Sequence, residues 1–201
     1  MNRRQIDRFF KVLDAALDRP AEIILIGAGA ASLMGHVRPS LDIDFEIRYS
    51  RMRAAGERDR LQEAIRKASN QTGLAVDYSE HVSHWSMIDF ADYRQTAVPY
   101  QRIGKLKIKI IAPAHWTIGK MGRFYELDIQ DMVQILRKNK VPAASVIRVW
   151  TKALKKSALS LELGQFREHV HYFLRHYAKK IWGARANSEM LIQTFEKEIH
   201  K

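Results

Sequence analysis

An α+β fold, a mixed β-sheet flanked by helices with a helical C-terminal part, is what this sequence predicts, and three observations predict it. The short apolar or alternating runs that read as strands all fall before residue 112. From Pro113 onward, apolar residues recur only at helical spacing. Strand and helix signals are mixed in the first part, without the regular strand–helix repetition of a doubly wound sheet.

Each element follows from its local pattern. Residues 3–17 place Ile6, Phe9, Phe10, Leu13 and Leu17 at helical spacing, and Arg19-Pro20 stops the helix. The run AEIILIGAG, residues 21–29, is rich in Ile and ends in Gly, which predicts a buried strand and a tight turn. Ala30–Met34 allows a short helix before Gly35. Leu41–Arg48 alternates, with Leu41, Ile43, Phe45 and Ile47 on one face and Asp42, Asp44, Glu46 and Arg48 on the other: a strand with one buried face. Glu57–Asn70 is a charged amphipathic helix built on Leu61, Ala64, Ile65 and Ala68. Leu74–Tyr78 is a further strand, and Ile103–Ile111 holds another, bounded by Gly104 and Pro113. Helices then follow over Ala114–Arg123, Ile129–Lys138, Ala143–Lys155, Leu163–Trp182 and Ser188–His200. The chain thus divides into an α/β core, residues 1–112, and a basic helical region, residues 113–201. No internal repeat or low-complexity linker interrupts it.

Composition narrows the chemistry. The 201 residues contain no cysteine, so disulfides and thiolate metal sites are excluded. The opening MNRRQIDRFFKVLDAAL is charged throughout and has no apolar core of a signal peptide. No stretch approaches the ~18 uncharged apolar residues of a membrane span. These features lead to the expectation of a cytoplasmic protein. Lys plus Arg number 34 against 22 Asp plus Glu, a net charge of +12. Residues 132–201 hold 14 basic and 5 acidic residues, so +9 of that excess lies there. Such a region suits a polyanion such as RNA, and equally suits a solvated helical surface.

The strongest chemical pattern is Gly27-Ala-Gly-Ala-Ala-Ser-Leu-Met-Gly35, followed by Arg38-Pro-Ser40-Leu-Asp42-Ile-Asp44. Carboxylates at i and i+2 of a strand share a face and lie about two ~3.3 Å rises apart, so both can reach one divalent cation. Mg²⁺ takes hard oxygen ligands, commonly one or two carboxylates plus substrate phosphates. A third carboxylate from a neighbouring strand would complete a site for nucleotidyl transfer. The glycine turn lets backbone N–H groups approach a triphosphate. The same glycines also fit the dinucleotide fingerprint Gly-x-Gly-x-x-Gly, with Ser32 in the third glycine's place and Glu46 near the acidic position. Against that reading, Gly35 and Pro39 interrupt the helix the fingerprint needs, and no second set of alternating strands and helices follows.

These residues resemble the signature of the polymerase-β-like minimal nucleotidyltransferases: a Gly-Gly or Gly-Ser turn, a short helix, then Asp-x-Asp on the next strand. They are most similar to bacterial stand-alone nucleotidyltransferases akin to the toxin half of AbiEii-type toxin–antitoxin systems. The pattern there runs Gly-Gly-x-Ala, Gly, Arg-x-Thr, Asp-Ile-Asp. Here it is Gly27-Ala28-Gly29-Ala30, Gly35, Arg38-Pro39-Ser40, Asp42-Ile43-Asp44. A second block, Lys120-Met-Gly-Arg123 then Asp128-Ile-Gln-Asp131, resembles the family's Lys-x-x-Arg and Asp-x-x-Asp. The resemblance spans residues 1–155 or so and leaves the basic tail unmatched.

The resemblance implies a nucleotidyltransferase-like sheet and an enzyme that transfers a nucleoside monophosphate from an NTP to a hydroxyl of RNA, tRNA or protein. It implies Mg²⁺ or Mn²⁺ on Asp42, Asp44 and a third carboxylate. Asp77 is the choice for that third ligand and Asp89 the alternative, since Lys107 and Lys109 leave the later strand without an acid. Gly27, Gly29, Arg38, Ser40, Lys120 and Arg123 would bind nucleotide, with Lys120 on a phosphate. Arg123 would otherwise pair with Asp128 or Asp131. An antitoxin protein is the implied partner of a toxin. Two departures stand out: Ala28 replaces the second glycine of the turn, and no motif fixes the third carboxylate. The other expectation is a degenerate fold that binds RNA or protein without turnover.

The remaining conspicuous residues have simpler readings. His171 and His176 are five apart, off the i, i+4 face that paired metal ligation uses. Trp85, Trp116, Trp150 and Trp182 read as core or interface anchors. Lys155-Lys156 and Lys179-Lys180 read as solvent-facing pairs.

Overall fold

A computed structural model of the chain describes residues 1–35, 42–49 and 56–201. Its elements, in chain order, are α1 (Arg3–Ala16), β1 (Ala21–Leu25), α2 (Gly27–Leu33), β2 (Asp42–Tyr49), α3 (Glu57–Thr72), β3 (Ala75–Ser79), a 3₁₀ turn (Val82–Trp85), α4 (Tyr93–Thr96), β4 (Val98–Ile103), β5 (Leu106–Ile110), α5 (Pro113–Arg123), α6 (Glu126–Lys138), α7 (Ala143–Lys156), α8 (Leu161–Trp182) and α9 (Ser188–Ile199). The fold is α+β, with a five-stranded mixed sheet and a helical C-terminal part.

Two compact units form. One comprises residues 1–81 and 96–111, the other 82–95 and 112–201. Residues 82–95 therefore side with the helices, a grouping absent from a single division at 112/113.

In the first unit the strand order is β3-β2-β1-β5-β4. β1 runs antiparallel to β2 and parallel to β5; β2 and β3 are parallel; β4 and β5 form an antiparallel hairpin. The alternation of β2 sorts the two faces. Ile43, Phe45 and Ile47 turn to the apolar side, where Phe45 meets Phe9 and Phe10 of α1 at ring distances of 5.8 and 5.7 Å. α1 buries Ile6, Phe9, Phe10 and Leu13 there, and α3 adds Leu61, Ala64, Ile65 and Ala68. A capping box starts α1: the Asn2 side chain accepts from the Gln5 N–H, and the Gln5 side chain accepts from the Asn2 N–H. Asp7 then ties α1 to the hairpin by accepting from the Tyr100 hydroxyl and the Gln101 amide.

The strand expected over 103–111 is in fact β5 alone. Ile103 ends β4, and Gly104, at φ +50°, sits in the hairpin turn. The short helix expected at Ala30–Met34 begins three residues earlier, at Gly27.

The second unit is helical. Trp150 is fully buried and donates its indole N–H to Thr117 Oγ1 at 2.8 Å. Phe166, Val170, Phe173 and Leu174 form the buried stripe of α8. Val82, Ile88, Phe90 and Tyr93 bring the 82–95 segment into this core. Asp92 fastens the same segment through His115 Nε2 at 3.4 Å and Lys152 Nζ at 3.2 Å.

Candidate functional site

Asp42, Asp44 and Glu46 project from the polar face of β2, as the alternation requires. β3 lies parallel to β2 with Asp44 opposite Asp77 and Asp42 opposite Ala75. Residues opposite one another in a sheet share a face, and neighbouring strands are about 4.8 Å apart. Asp42, Asp44 and Asp77 thus stand on one face, Asp77 beside Asp44. Asp42 is exposed; Asp44 and Asp77 are half-buried. Glu46, fully buried, continues the row opposite Ser79. The β2 alternation that marked the aspartates marked Glu46 too, and its burial is what the sequence did not disclose.

Gly27 explains how the turn before α2 accommodates an acid. Its φ is +51°, and a Cβ there would lie 1.7 Å from Asp44 Oδ2. Only glycine fits. The Asp44 carboxylate is then close enough to accept from the Ala28 N–H at 3.3 Å, while Ile26 N–H donates to the Asp44 carbonyl. The Ala28 side chain does not close this approach. Gly29 differs: it is buried, and a Cβ on it would touch Leu25, Met1 and Ile43 at 3.3–3.7 Å. Its smallness serves the packing of α2.

Asp89 is placed elsewhere. It belongs to the helical unit, where its N–H donates to Ser157 Oγ and its side chain accepts from the Ala91 N–H. Asp77 is therefore the carboxylate adjacent to Asp44. Arg38 and Ser40 lie outside the described residues.

Lys120 and Arg123 also belong to the helical unit. Lys120 is only 8% exposed, and its ammonium donates to Asp128 Oδ1 at 2.6 Å and Asp131 Oδ2 at 3.0 Å, with the Trp116 ring 5.3 Å away. Arg123 donates to both oxygens of Asp128 at 3.2 Å. Burial opposes ionisation of Asp128, but its bonds to Arg123 and Lys120 hold its pKa below the ordinary carboxylate range. The expected phosphate ligand is thus the centre of a buried ion-pair cluster joining α5 and α6. Of the two acids weighed as partners for Arg123, the structure selects Asp128.

Among the described residues, no group of three or more His, Asp or Glu side chains is gathered closely enough to hold a metal ion. The donor set on β2 and β3 nonetheless suits Mg²⁺ or Mn²⁺ in kind: carboxylate oxygens, with Asp42 exposed and Asp44 and Asp77 half-buried. Mg²⁺ keeps several waters and takes one or two protein carboxylates, so it does not need a closed cage. No helix among the described residues is long and apolar enough to cross a membrane.

No family model matches the chain, and neither a curated protein nor a solved structure is found to be similar to it.

Proposed function

We propose that this chain is a divalent-metal-dependent nucleotidyltransferase that moves a nucleoside monophosphate from an NTP to an acceptor hydroxyl. The supporting observation is the parallel register of Asp44 with Asp77, which sets a third carboxylate beside the Asp42/Asp44 pair on the face where Gly27 makes room for Asp44. Asp42 and Asp44 would hold the metal, with Asp77 flanking them. Bound Mg²⁺ or Mn²⁺ supplies charge neutralisation to the triphosphate and to the departing pyrophosphate.

The acceptor oxygen bonds to the α-phosphorus, the bond from that phosphorus to the bridging oxygen breaks, and pyrophosphate leaves. Asp77 takes the proton of the acceptor hydroxyl. Gly27 makes room for the Asp44 carboxylate. Arg38 and Ser40 complete the nucleotide contacts by resemblance. Lys120 contributes as a brace between α5 and α6, and reaches a phosphate only by giving up an aspartate. The acceptor is an RNA or tRNA end or a protein hydroxyl, and a toxin of this kind would be neutralised by an antitoxin protein.

Calorimetric titration of ATP and GTP with and without Mg²⁺, on wild type and Asp42→Asn, tests the reading. Metal-linked binding by wild type that Asp42→Asn largely loses is the expected result. Equal binding by the two proteins would remove the catalytic reading. It would leave the second one, a nucleotidyltransferase-like module that binds RNA or protein without turnover, which the engagement of Lys120 by two aspartates favours.

A further inference from the structure

The exposed face of α8 carries aromatic rings interleaved with basic side chains. His169 lies flat on Phe124, the left-handed residue that ends α5, with ring centres 4.3 Å apart and planes 7° from parallel. Seven residues on, His176 stacks on Tyr172 at 4.0 Å. Two helical turns, about 10.5 Å of rise, separate the two imidazoles. Tyr172 also meets Phe124 edge-on at 5.8 Å, joining the stacks into one aromatic track.

These rings are fixed before any partner arrives. His169 Nδ1 is 2.8 Å from the Met121 carbonyl and His176 Nδ1 is 2.8 Å from the Tyr172 carbonyl. A carbonyl only accepts, so each Nδ1 carries the proton and each ring is held in place by the backbone. Ordering costs that a flexible aromatic would incur on binding are thereby reduced. Tyr172 is 46% exposed, so a partner can reach its ring.

Cations flank the track. Arg175, Lys179 and Lys180 are exposed beside it. A groove of about 300 Å³ runs between Phe124, His169, His171, Tyr172 and Arg175, with Glu168 as the one acid on its wall. The Arg175–Glu189 pair is long, 3.4 Å, and exposed on both sides, so Arg175 exchanges partners at little cost.

We propose that this face of α8 binds single-stranded RNA, with bases stacking on the Phe124–His169–Tyr172–His176 track and phosphates meeting Arg175, Lys179 and Lys180. Stacking accepts any base, and the basic residues follow the backbone. Single strands are favoured over duplex, because a duplex keeps its bases stacked on each other and out of reach.

Fluorescence anisotropy with a labelled single-stranded oligoribonucleotide tests this in wild type, Tyr172→Ala, Tyr172→Phe and Lys179→Gln/Lys180→Gln. Wild type binds, and binding weakens as salt rises. Tyr172→Ala loses about tenfold in affinity with its melting temperature unchanged, while Tyr172→Phe retains binding. The double Gln variant weakens binding and flattens the salt dependence. Asp42→Asn binds RNA like wild type, so this outcome stands or falls separately from nucleotidyl transfer. Absence of binding at low salt overturns the proposal. So does equal affinity of Tyr172→Ala and wild type, or capture of duplex RNA or an acidic protein in preference to the single strand.

Discussion

The β2–β3 face and the α5–α6 contact both carry carboxylates, and they differ in how far those carboxylates are withdrawn from water. At α5–α6, Asp128 and Asp131 are buried and met by Lys120, with Arg123 adding a second cation to Asp128. On the sheet, Asp44 and Asp77 stand side by side on adjacent strands, half in water, with Asp42 on the same face. A compensated cluster is what a fold builds for itself. On the sheet, Asp42 and the half-buried Asp44 and Asp77 keep a side toward water, where a cation from solution can reach them.

Removing Lys120 should have the largest effect on stability. Lys120→Met leaves two buried carboxylates without their shared ammonium, a loss of about 3–5 kcal/mol in chemical denaturation. A variant as stable as wild type would mean the cluster is not structural. Next comes Gly27→Ala, which demands a left-handed alanine and pushes its methyl into Asp44. About 1–3 kcal/mol of stability should go, and metal-linked nucleotide binding with it. Retention of both would separate the turn from the site.

A pH titration sharpens the contrast. Burial pushes His115 below the ordinary histidine value despite its contact with Asp92. The folded state therefore prefers neutral His115, and stability is full above pH ~6.5 and falls as the pH drops through and below that value. His115→Gln should flatten this part of the stability–pH curve. Asp128 acts in a lower window: its lowered pKa gives stability that is present above the usual carboxylate range and lost as the pH falls beneath it. An unchanged curve in His115→Gln would assign the upper transition elsewhere. The smallest effect is expected on the sheet. Asp77→Asn keeps the size of the side chain and should leave stability within about 0.5 kcal/mol of wild type in thermal melts, while the proposed nucleotidyl transfer is lost. A strongly destabilised Asp77→Asn would recast Asp77 as a structural residue.

Much of the fold could be read in the sequence because its periodicities are clean. The strict alternation of β2 fixed both its faces, and the helical stripes located α5 to α9 to within a few residues. β4 escaped notice because it is an edge strand with Pro99 near its start and a register shift beside it, so it shows no alternation. The start of α2 at Gly27 escaped for a different reason: Gly-Ala-Gly is a poor helix former, and packing against Leu25 and Ile43 overrides that preference. Within the candidate site, i and i+2 spacing placed Asp42 and Asp44 on one face. The choice between Asp77 and Asp89 depended on strand pairing, which no local pattern encodes. Burial of Lys120 was equally invisible, since a Lys-x-x-Arg face looks the same whether water or aspartate meets it.

The two units interleave along the chain, and this bears on how the protein is made and cut. β1 cannot acquire its parallel neighbour β5 until residues 106–110 have left the ribosome, some 80 positions after β1 itself. Any fragment long enough to complete the sheet must carry residues 82–95 along. Val82, Ile88, Phe90 and Tyr93, buried in the whole chain, would then have lost the helices that cover them. A truncation after residue 112 should therefore be prone to aggregate, and a soluble N-terminal piece would call for replacing that intervening stretch with a short polar linker.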